Sequence, residues 1–404
     1  MSLFVDNLYT LDRELVLPCG AKIKNPIAKS AMSDSLGDGT GRPTETQINL
    51  YERWAEGGVG LSIIGEVQAD PRFPESAGNL VLSSQTDIEA LRKLTQRATI
   101  NGAHIWPQIG HAGALSNPNV NANGKGPSEL KIDNFRCSEL STQEVEQLPK
   151  QFAQSATIAQ QAGFTGIQIH AGHGFLLSQF LSPLFNQRTD QYGGSVENRC
   201  RILTDVIEVI RAAVGQNFPI GIKINTSDQI EGGLSELDSL QVIQHLNSTS
   251  LDLIELSGGS YFPGTTPSSD RVSNGPYFLG YAEKARELTT IPLVVTGGFK
   301  NSEQVISALS SGNADMVGLA RALVLEPKLV KLWLKGKDIA PNFPRFNAPP
   351  EGGITAWYTM LIQAIGQNCS ETFALNVEQA LIDYQSNEQV LSTKWISNFG
   401  LSSS

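Results

Sequence analysis

At 404 residues, with 40 % hydrophobic and 17 % charged residues, the chain has a globular make-up, and no apolar run approaches the ~20 residues a membrane span needs. A formal net charge of -10 and a pI near 5.1 exclude a sequence-independent grip on nucleic acid, so any phosphate must be held by a local site. Cys19, Cys137, Cys200 and Cys369 lie far apart without a C-x-x-C pair, which argues against a zinc ribbon, an iron–sulfur cluster and a disulfide framework; reduced thiols and no metal are expected.

The N-terminal MSLFVDNLYTLDREL has early acidic residues and lacks a basic n-region and a long apolar core, so it does not read as a signal peptide and a cytoplasmic location is expected. Next, Leu15 to Lys24 alternates around Pro18-Cys19-Gly20, a hairpin expected to plug a barrel floor. Short apolar runs then alternate with segments of helical periodicity, the pattern of βα units. Eight strands are predicted: Pro26 to Met32, Val59 to Ile64, His104 to Ile109, Gly166 to Ile169, Ile220 to Ile224, Leu251 to Leu256, Leu293 to Thr296 and Asp315 to Leu319. Eight such units close a (β/α)8 TIM barrel more readily than an open sheet, and α/β barrels routinely run past ~250 residues as one domain.

Between the strands, Thr44 with Gln47 and Ser141 with Glu144 have capping-box spacing. Gly57, Gly163, Gly215 and Gly312 sit just past apolar periodic stretches, where left-handed C-caps are expected. The longest insertions follow strands two, three and four. Asn117 to Asp133, rich in Asn, Gly, Pro and Lys, reads as a mobile loop over the mouth and a candidate lid or capping subdomain. After the eighth strand, Gly352 to Glu388 reads as one or two extra helices, so the expected organisation is a core barrel over about 25–335 with a helical extension over 340–390.

Barrel chemistry comes from the C-terminal strand ends, and polar residues cluster there. His111 follows strand three; His170 and His173 follow strand four. Gly297-Gly298 after strand seven and Gly318-Leu-Ala320-Arg321 after strand eight supply the Gly-rich amides and the arginine fork of a phosphate site, or else simply allow tight βα turns. Lys223 ends strand five inside an apolar run. Its residue type and position fit either a Schiff-base nucleophile, as in lysine aldolases, or a fixed positive charge that stabilises an anion on a cofactor ring.

The run Gly-Phe-Thr-Gly-Ile-Gln-Ile-His170-Ala-Gly-His173-Gly-Phe175-Leu-Leu-Ser-Gln-Phe-Leu-Ser-Pro-Leu-Phe-Asn-Gln-Arg-Thr-Asp-Gln-Tyr192-Gly-Gly-Ser-Val-Glu-Asn-Arg199 resembles the signature block of the Old Yellow Enzyme family of NADH:flavin oxidoreductases. Gln108 to Gly113, Val294 to Phe299 and Gly318 to Pro327 support it, so the resemblance covers roughly residues 5 to 375. It implies FMN at the barrel mouth, with Gln108 on the pyrimidine edge and Lys223 facing the N1 and C2 carbonyl region, an electrostatic role rather than a Schiff base. Backbone groups of Ala31, Met32 and Gly65 would line the flavin, Ser33 would sit near its C4 carbonyl, and Gly297, Gly298, Gly318, Ala320 and Arg321 would hold its phosphate. His170 and His173 would each donate to an oxygen of the substrate.

The chain departs from the family at Phe175, where most ene-reductases carry a tyrosine that protonates the substrate α-carbon. Solvent or another group such as Tyr261 or Tyr358 would then take that step, or the work is quinone or nitro reduction, or double-bond isomerisation, that does without it. The chain ends without the cysteine cluster and nucleotide domain of the dienoyl-CoA reductase branch, so NADH or NADPH is expected to reduce the flavin directly from the substrate site, in ping-pong fashion. No G-x-G-x-x-G unit distinguishes the two donors. A flavin-free lysine aldolase is the alternative from another class. Expected partners are a small-molecule substrate and, through exposed apolar helices, a homodimer; no nucleic acid and no membrane are expected.

Overall fold

The computed structural model describes residues 9–132, 135–262 and 275–401. Eight parallel strands close on themselves: β1 Ile27–Lys29, β2 Leu61–Gln68, β3 His104–Gly110, β4 Ile167–Ala171, β5 Ile220–Asn225, β6 Leu253–Ser257, β7 Leu293–Thr296 and β8 Met316–Leu319. Each pairs with the next, and β8 returns to β1 through Val317↔Ile27, Gly318↔Ala28 and Leu319↔Lys29. Alternation along β5 shows why both faces are satisfied. Ile220, Ile222 and Ile224 pack outward into the main hydrophobic core, while Gly221, Lys223 and Asn225 take the other face. A helix follows every strand, from Glu45–Glu56 after β1 to Arg321–Leu325 after β8.

Caps behave as their residues require. Thr44 Oγ1 accepts from the Gln47 amide, and Ser141 with Glu144 forms a complete capping box. Gly163, Gly215 and Gly312 all have positive φ, whereas Gly57 does not. Its φ is -71°, and the left-handed residue is Gly58. Gly57 is instead needed for close approach, because a Cβ there would lie 2.0 Å from the Pro327 carbonyl oxygen.

The expected floor plug is present: Leu15–Val16 pairs antiparallel with Lys22–Ile23. Leu17 and Ile23 join Ala28, Leu61, Ile63, Trp106, Leu253, Val294 and Met316 in a second apolar cluster that fills the lower barrel. Trp106 fits because a glycine precedes β4 and another is the second residue of β5: a Cβ on Gly166 would lie 2.5 Å from its indole and one on Gly221 3.0 Å. Asp252 ties the floor together. Its carboxylate accepts from the Cys19 and Ile220 amides, each at 2.8 Å, and from Arg211 at 2.7 Å. Arg211 donates in turn to the carbonyls of Gly215, Phe218 and Ser250.

Strand β1 is shorter than the predicted Pro26 to Met32, although Ser33 still bridges to Gly65 beyond it. It carries a fully buried lysine. Lys29 Nζ lies 4.4 Å from the Trp54 ring centroid and 3.2 Å from the Ile63 carbonyl oxygen. Burial, aided by Lys223, pushes its pKa down to about 7, against the pull of Asp34 and Glu255. Between that value and the ordinary lysine range near 10.4 the unfolded chain binds a proton that the folded chain does not, so this group makes stability rise with pH. Lys29→Met is expected to abolish that contribution, measured as wild-type minus variant unfolding free energy between pH 7 and 10.

The segment predicted as a loop from Asn117 to Asp133 contains strands Lys125–Gly126 and Leu130–Ile132, which pair with Phe135–Glu139; Asp133 itself lies outside the described residues. Ala114, Leu130, Cys137, Phe185 and Phe262 form a separate apolar cluster beneath this small sheet. The C-terminal extension comprises Gly353–Gly366 and Val377–Phe399, the second running past the predicted Glu388. Buried Glu388 accepts from Ser76 Oγ at 2.8 Å, the Ala77 amide at 2.9 Å and Asn117 Nδ2 at 2.5 Å. The last helix thereby braces the loops after β2 and β3.

All four cysteines are free thiols. Among the described residues no helix is long and apolar enough to cross a membrane, and no cluster of His, Cys, Asp and Glu has metal-binding geometry.

Candidate active site

Above the apolar floor the barrel interior turns polar. Gln108 Nε2 donates to Gln168 Oε1 at 2.7 Å, and Gln168 Nε2 donates to Glu255 Oε2 at 2.6 Å. Glu255 Oε1 accepts from Thr296 Oγ1 at 2.7 Å and lies 3.2 Å from Lys223 Nζ. Ser30 Oγ shares a 2.9 Å hydrogen bond with Thr296 Oγ1. Gly318 leaves room for this pair, since a Cβ there would lie 2.0 Å from Thr296 Oγ1 and 2.1 Å from Ser30 Oγ. Its glycine therefore has a packing reason independent of any phosphate. Burial alone would raise the Glu255 pKa, but Lys223 and the donors Gln168, Thr296 and Ser30 more than offset it and hold the carboxylate below its ordinary range. A buried charge is tolerated here because it is fully paired.

One step toward the mouth stand the two histidines. His170 sits beside Lys223 in the β4–β5 register. His170 Nε2 and His173 Nδ1 are 3.0 Å apart, and His173 Nε2 is 2.7 Å from Ser257 Oγ. His173 has a positive φ of 60°, held there because its amide donates to Asn225 Oδ1 at 2.9 Å and its carbonyl accepts from Tyr261. A non-glycine residue in that region costs free energy and persists where its surroundings enforce it. Burial, with Lys223 adding to it, lowers both imidazole pKa values well below the ordinary range; His170 further lowers that of His173. Each ring is thus neutral near pH 7 and carries one N–H. One N–H is spent between the rings, which leaves one for a substrate oxygen while that bond stands.

Glu66, at the end of β2, was not singled out in the sequence. It is buried, its Oε2 is 3.4 Å from His170 Nδ1, and its Oε1 has no hydrogen-bond partner. It fits only because β3 ends in a glycine: a Cβ on Gly110 would lie 1.6 Å from Oε1. Burial pushes the Glu66 pKa up to about 8, against the opposing charge of Lys223. Nearby, Ser33 Oγ donates to Glu75 Oε2 at 2.8 Å. Burial, with the Glu66 charge adding to it, pushes Glu75 up to about 7.

Phe175 packs on His170 with ring centroids 5.0 Å apart. Tyr261, half exposed at the rim, lies 5.8 Å from His173 and 5.9 Å from Phe175, centroid to centroid. Tyr358 is elsewhere, buried beneath the Arg321 guanidinium at 4.8 Å. His111 turns out to be architectural. Its Nδ1 accepts from the Gly113 amide at 3.0 Å, its ring stacks on Phe73, and burial lowers its pKa to about 4.

A flavin mononucleotide suits this donor set. Lys223 and Gln108 offer a cation and an amide above the floor, and the buried His170 Nδ1 has no hydrogen bond within the protein. After β7, Gly297 and Gly298 both have positive φ, and a Cβ on Gly298 would lie 2.3 Å from the Gly275 carbonyl oxygen. Such a turn presents bare backbone, as a phosphate site needs, and Ala320 and Arg321 open the helix after β8.

The sequence profile of the NADH:flavin oxidoreductase / NADH oxidase family matches residues 19–338. The chain belongs to that family. It is 32 % identical over 389 residues to the NADH-dependent flavin oxidoreductase iliE of Neonectria sp. (strain DH2), which covers 87 % of this chain but 50 % of the relative. The iliE protein of Hypocrea jecorina (strain QM6a) is 30 % identical over 382 residues, covering 85 % of this chain and 95 % of its own length. An NADPH dehydrogenase of Bacillus subtilis (strain 168) is 30 % identical over 78 % of this chain and 92 % of its own. Among solved structures, the old yellow enzyme homologue from Zymomonas mobilis superposes with a TM-score of 0.71 at 23 % identity, over 87 % of this chain and 98 % of that one.

These findings bear out the Old Yellow Enzyme resemblance, and the barrel matches its (β/α)8 fold. Within the NADH:flavin oxidoreductase / NADH oxidase signature, much of the most recognisable sequence is architectural. Asn186 Nδ2 donates to the carbonyls of Phe180 and Tyr192. Arg188 binds Asp190 and the carbonyls of Pro127 and Leu140, clamping the small sheet to the barrel. Arg199 donates to the Leu181 carbonyl at 2.8 Å and pairs with Asp238 at 3.0 Å.

Proposed function

We propose that the chain is an FMN-dependent NAD(P)H oxidoreductase that reduces electron-poor, oxygen-bearing small molecules such as enones, quinones and nitro compounds. The observation that carries this reading is the buried Lys223–Glu255 pair beside His170 and His173, in a chain belonging to a flavin oxidoreductase family. FMN would supply hydride chemistry at N5. Lys223 would stabilise negative charge on the ring, and Gln108 would hold its pyrimidine edge. Ala31, Met32, Ser33 and Gly65 would line it, and Gly297, Gly298, Gly318, Ala320 and Arg321 would hold the phosphate end. The free imidazole N–H of the histidine pair would polarise a substrate oxygen, making the β-carbon a better acceptor.

The test is the visible spectrum of the purified protein, then anaerobic NADH or NADPH, then a panel of the three acceptor types. A yellow protein that bleaches with the nicotinamide and recolours with an acceptor is expected; a colourless protein that does not take up FMN would overturn the reading. Phe175 favours one further outcome, a net double-bond isomerase, recognised by product formation without NAD(P)H consumption.

A further inference from the structure

We propose that Glu66 is the proton-transfer residue of this site, doing the work that Phe175 cannot. This rests on the oxidoreductase reading above. His170 is flanked on one side by Phe175, which has no proton to give, and on the other by a carboxyl 3.4 Å from its Nδ1. Neither that Nδ1 nor Glu66 Oε1 has a hydrogen bond within the protein. Buried polar atoms are rarely left so, and catalytic contacts commonly tighten when reactants arrive.

The balance is simple. A hydride supplied by bound FMN would form the new C–H bond at the substrate β-carbon, and the electron pair displaced from the C=C bond would end as carbanion or enolate character at the α-carbon. Glu66 O–H breaks, its proton forms the α-C–H bond, and a carboxylate remains. One proton from solvent then restores the acid. The groups facing Glu66 are His170 from β4, Lys223 from β5 and Glu75 from the loop after β2. Burial dominates, so Glu66 stays protonated up to about pH 8.

Glu66→Gln keeps the shape and removes the acid. In stopped-flow experiments on the FMN-loaded protein, bleaching by NAD(P)H is expected to change less than about threefold, and quinone reduction, whose product is protonated on oxygen, should be equally spared. Enone reduction should fall roughly 10²–10⁴-fold, the range a general acid supplies, with loss of the descending limb near pH 8. Equal enone rates in wild type and variant would overturn the proposal, whereas a wild-type protein that reduces no acceptor would instead sink the oxidoreductase reading.

A second readout needs no turnover. In flavin-free protein, the 15N signals of His170 should shift as pH rises through about 8, because the carboxyl 3.4 Å from its Nδ1 ionises, and Glu66→Gln should abolish the change. Signals that never shift, or that shift alike in the variant, would overturn the proposal.

Discussion

Asp252→Ala is expected to be among the most destabilising single substitutions in this protein, costing roughly 3–5 kcal/mol. The carboxylate is buried and meets three donors from different parts of the chain: the hairpin at Cys19, the start of β5 at Ile220, and Arg211 on the preceding helix. Alanine leaves the buried Ile220 amide and the partly buried Cys19 amide without acceptors and a buried guanidinium without its counter-charge. Arg211 keeps its carbonyl partners, so it is held in place and has no way to reach water. Asp252→Asn retains the shape and one acceptor and should cost less. Urea unfolding followed by circular dichroism would give both values, and an Asp252→Ala variant within about 1 kcal/mol of wild type would show that the floor is held by apolar packing alone.

The fold was readable because its barrel strands are locally distinctive. In β5 the isoleucines recur at period two, with Gly221 and Lys223 between them, and no helix produces that pattern. Predicted and observed ends of β7 coincide at Leu293 and Thr296. Strand β1 was less legible because Lys29 and Ser30 look like surface residues; only the arrival of Tyr51 and Trp54 from the next helix makes the lysine interior. The small sheet over the mouth was invisible for a related reason. Its strands are two to five residues long, and they are held by Arg188 and Phe185, which come from beyond β4. The residues of the site divide in the same way. Lys223 and the histidines stood out from local context, but Glu255 lies 32 residues beyond Lys223, a separation read directly from the two positions, and only barrel register sets them side by side. Glu66 was missed although it breaks an apolar strand just as Lys223 does, and a scan for charges ending apolar strands would have found both.

Lys223→Met is expected to separate the two roles of that side chain. Without the ammonium, Glu255 keeps its hydrogen bonds to Gln168 and Thr296 but loses the charge that chiefly offsets its burial. The consequence has a definite sign. In wild type the Glu255 pKa is depressed, so its contribution to stability is present above the unfolded carboxyl range and lost as pH falls. In Lys223→Met the pKa should rise above that range, so the contribution is largest at low pH and lost as pH rises. Stability measured from pH 4 to 8 should therefore slope differently in the two proteins, with the variant weaker near neutrality by about 3–5 kcal/mol at most. Adding Glu255→Gln removes the stranded charge and should restore most of that stability. It should not restore flavin chemistry. A charge-assisted hydrogen bond contributes ~1.5–3 kcal/mol, so the double variant should bind FMN roughly ten- to a hundredfold more weakly than wild type. Its flavin should also be harder to reduce, because the charge that stabilises the anionic ring is gone. A stable double variant with wild-type FMN affinity and potential would remove Lys223 from the flavin site and leave it as one half of a structural ion pair.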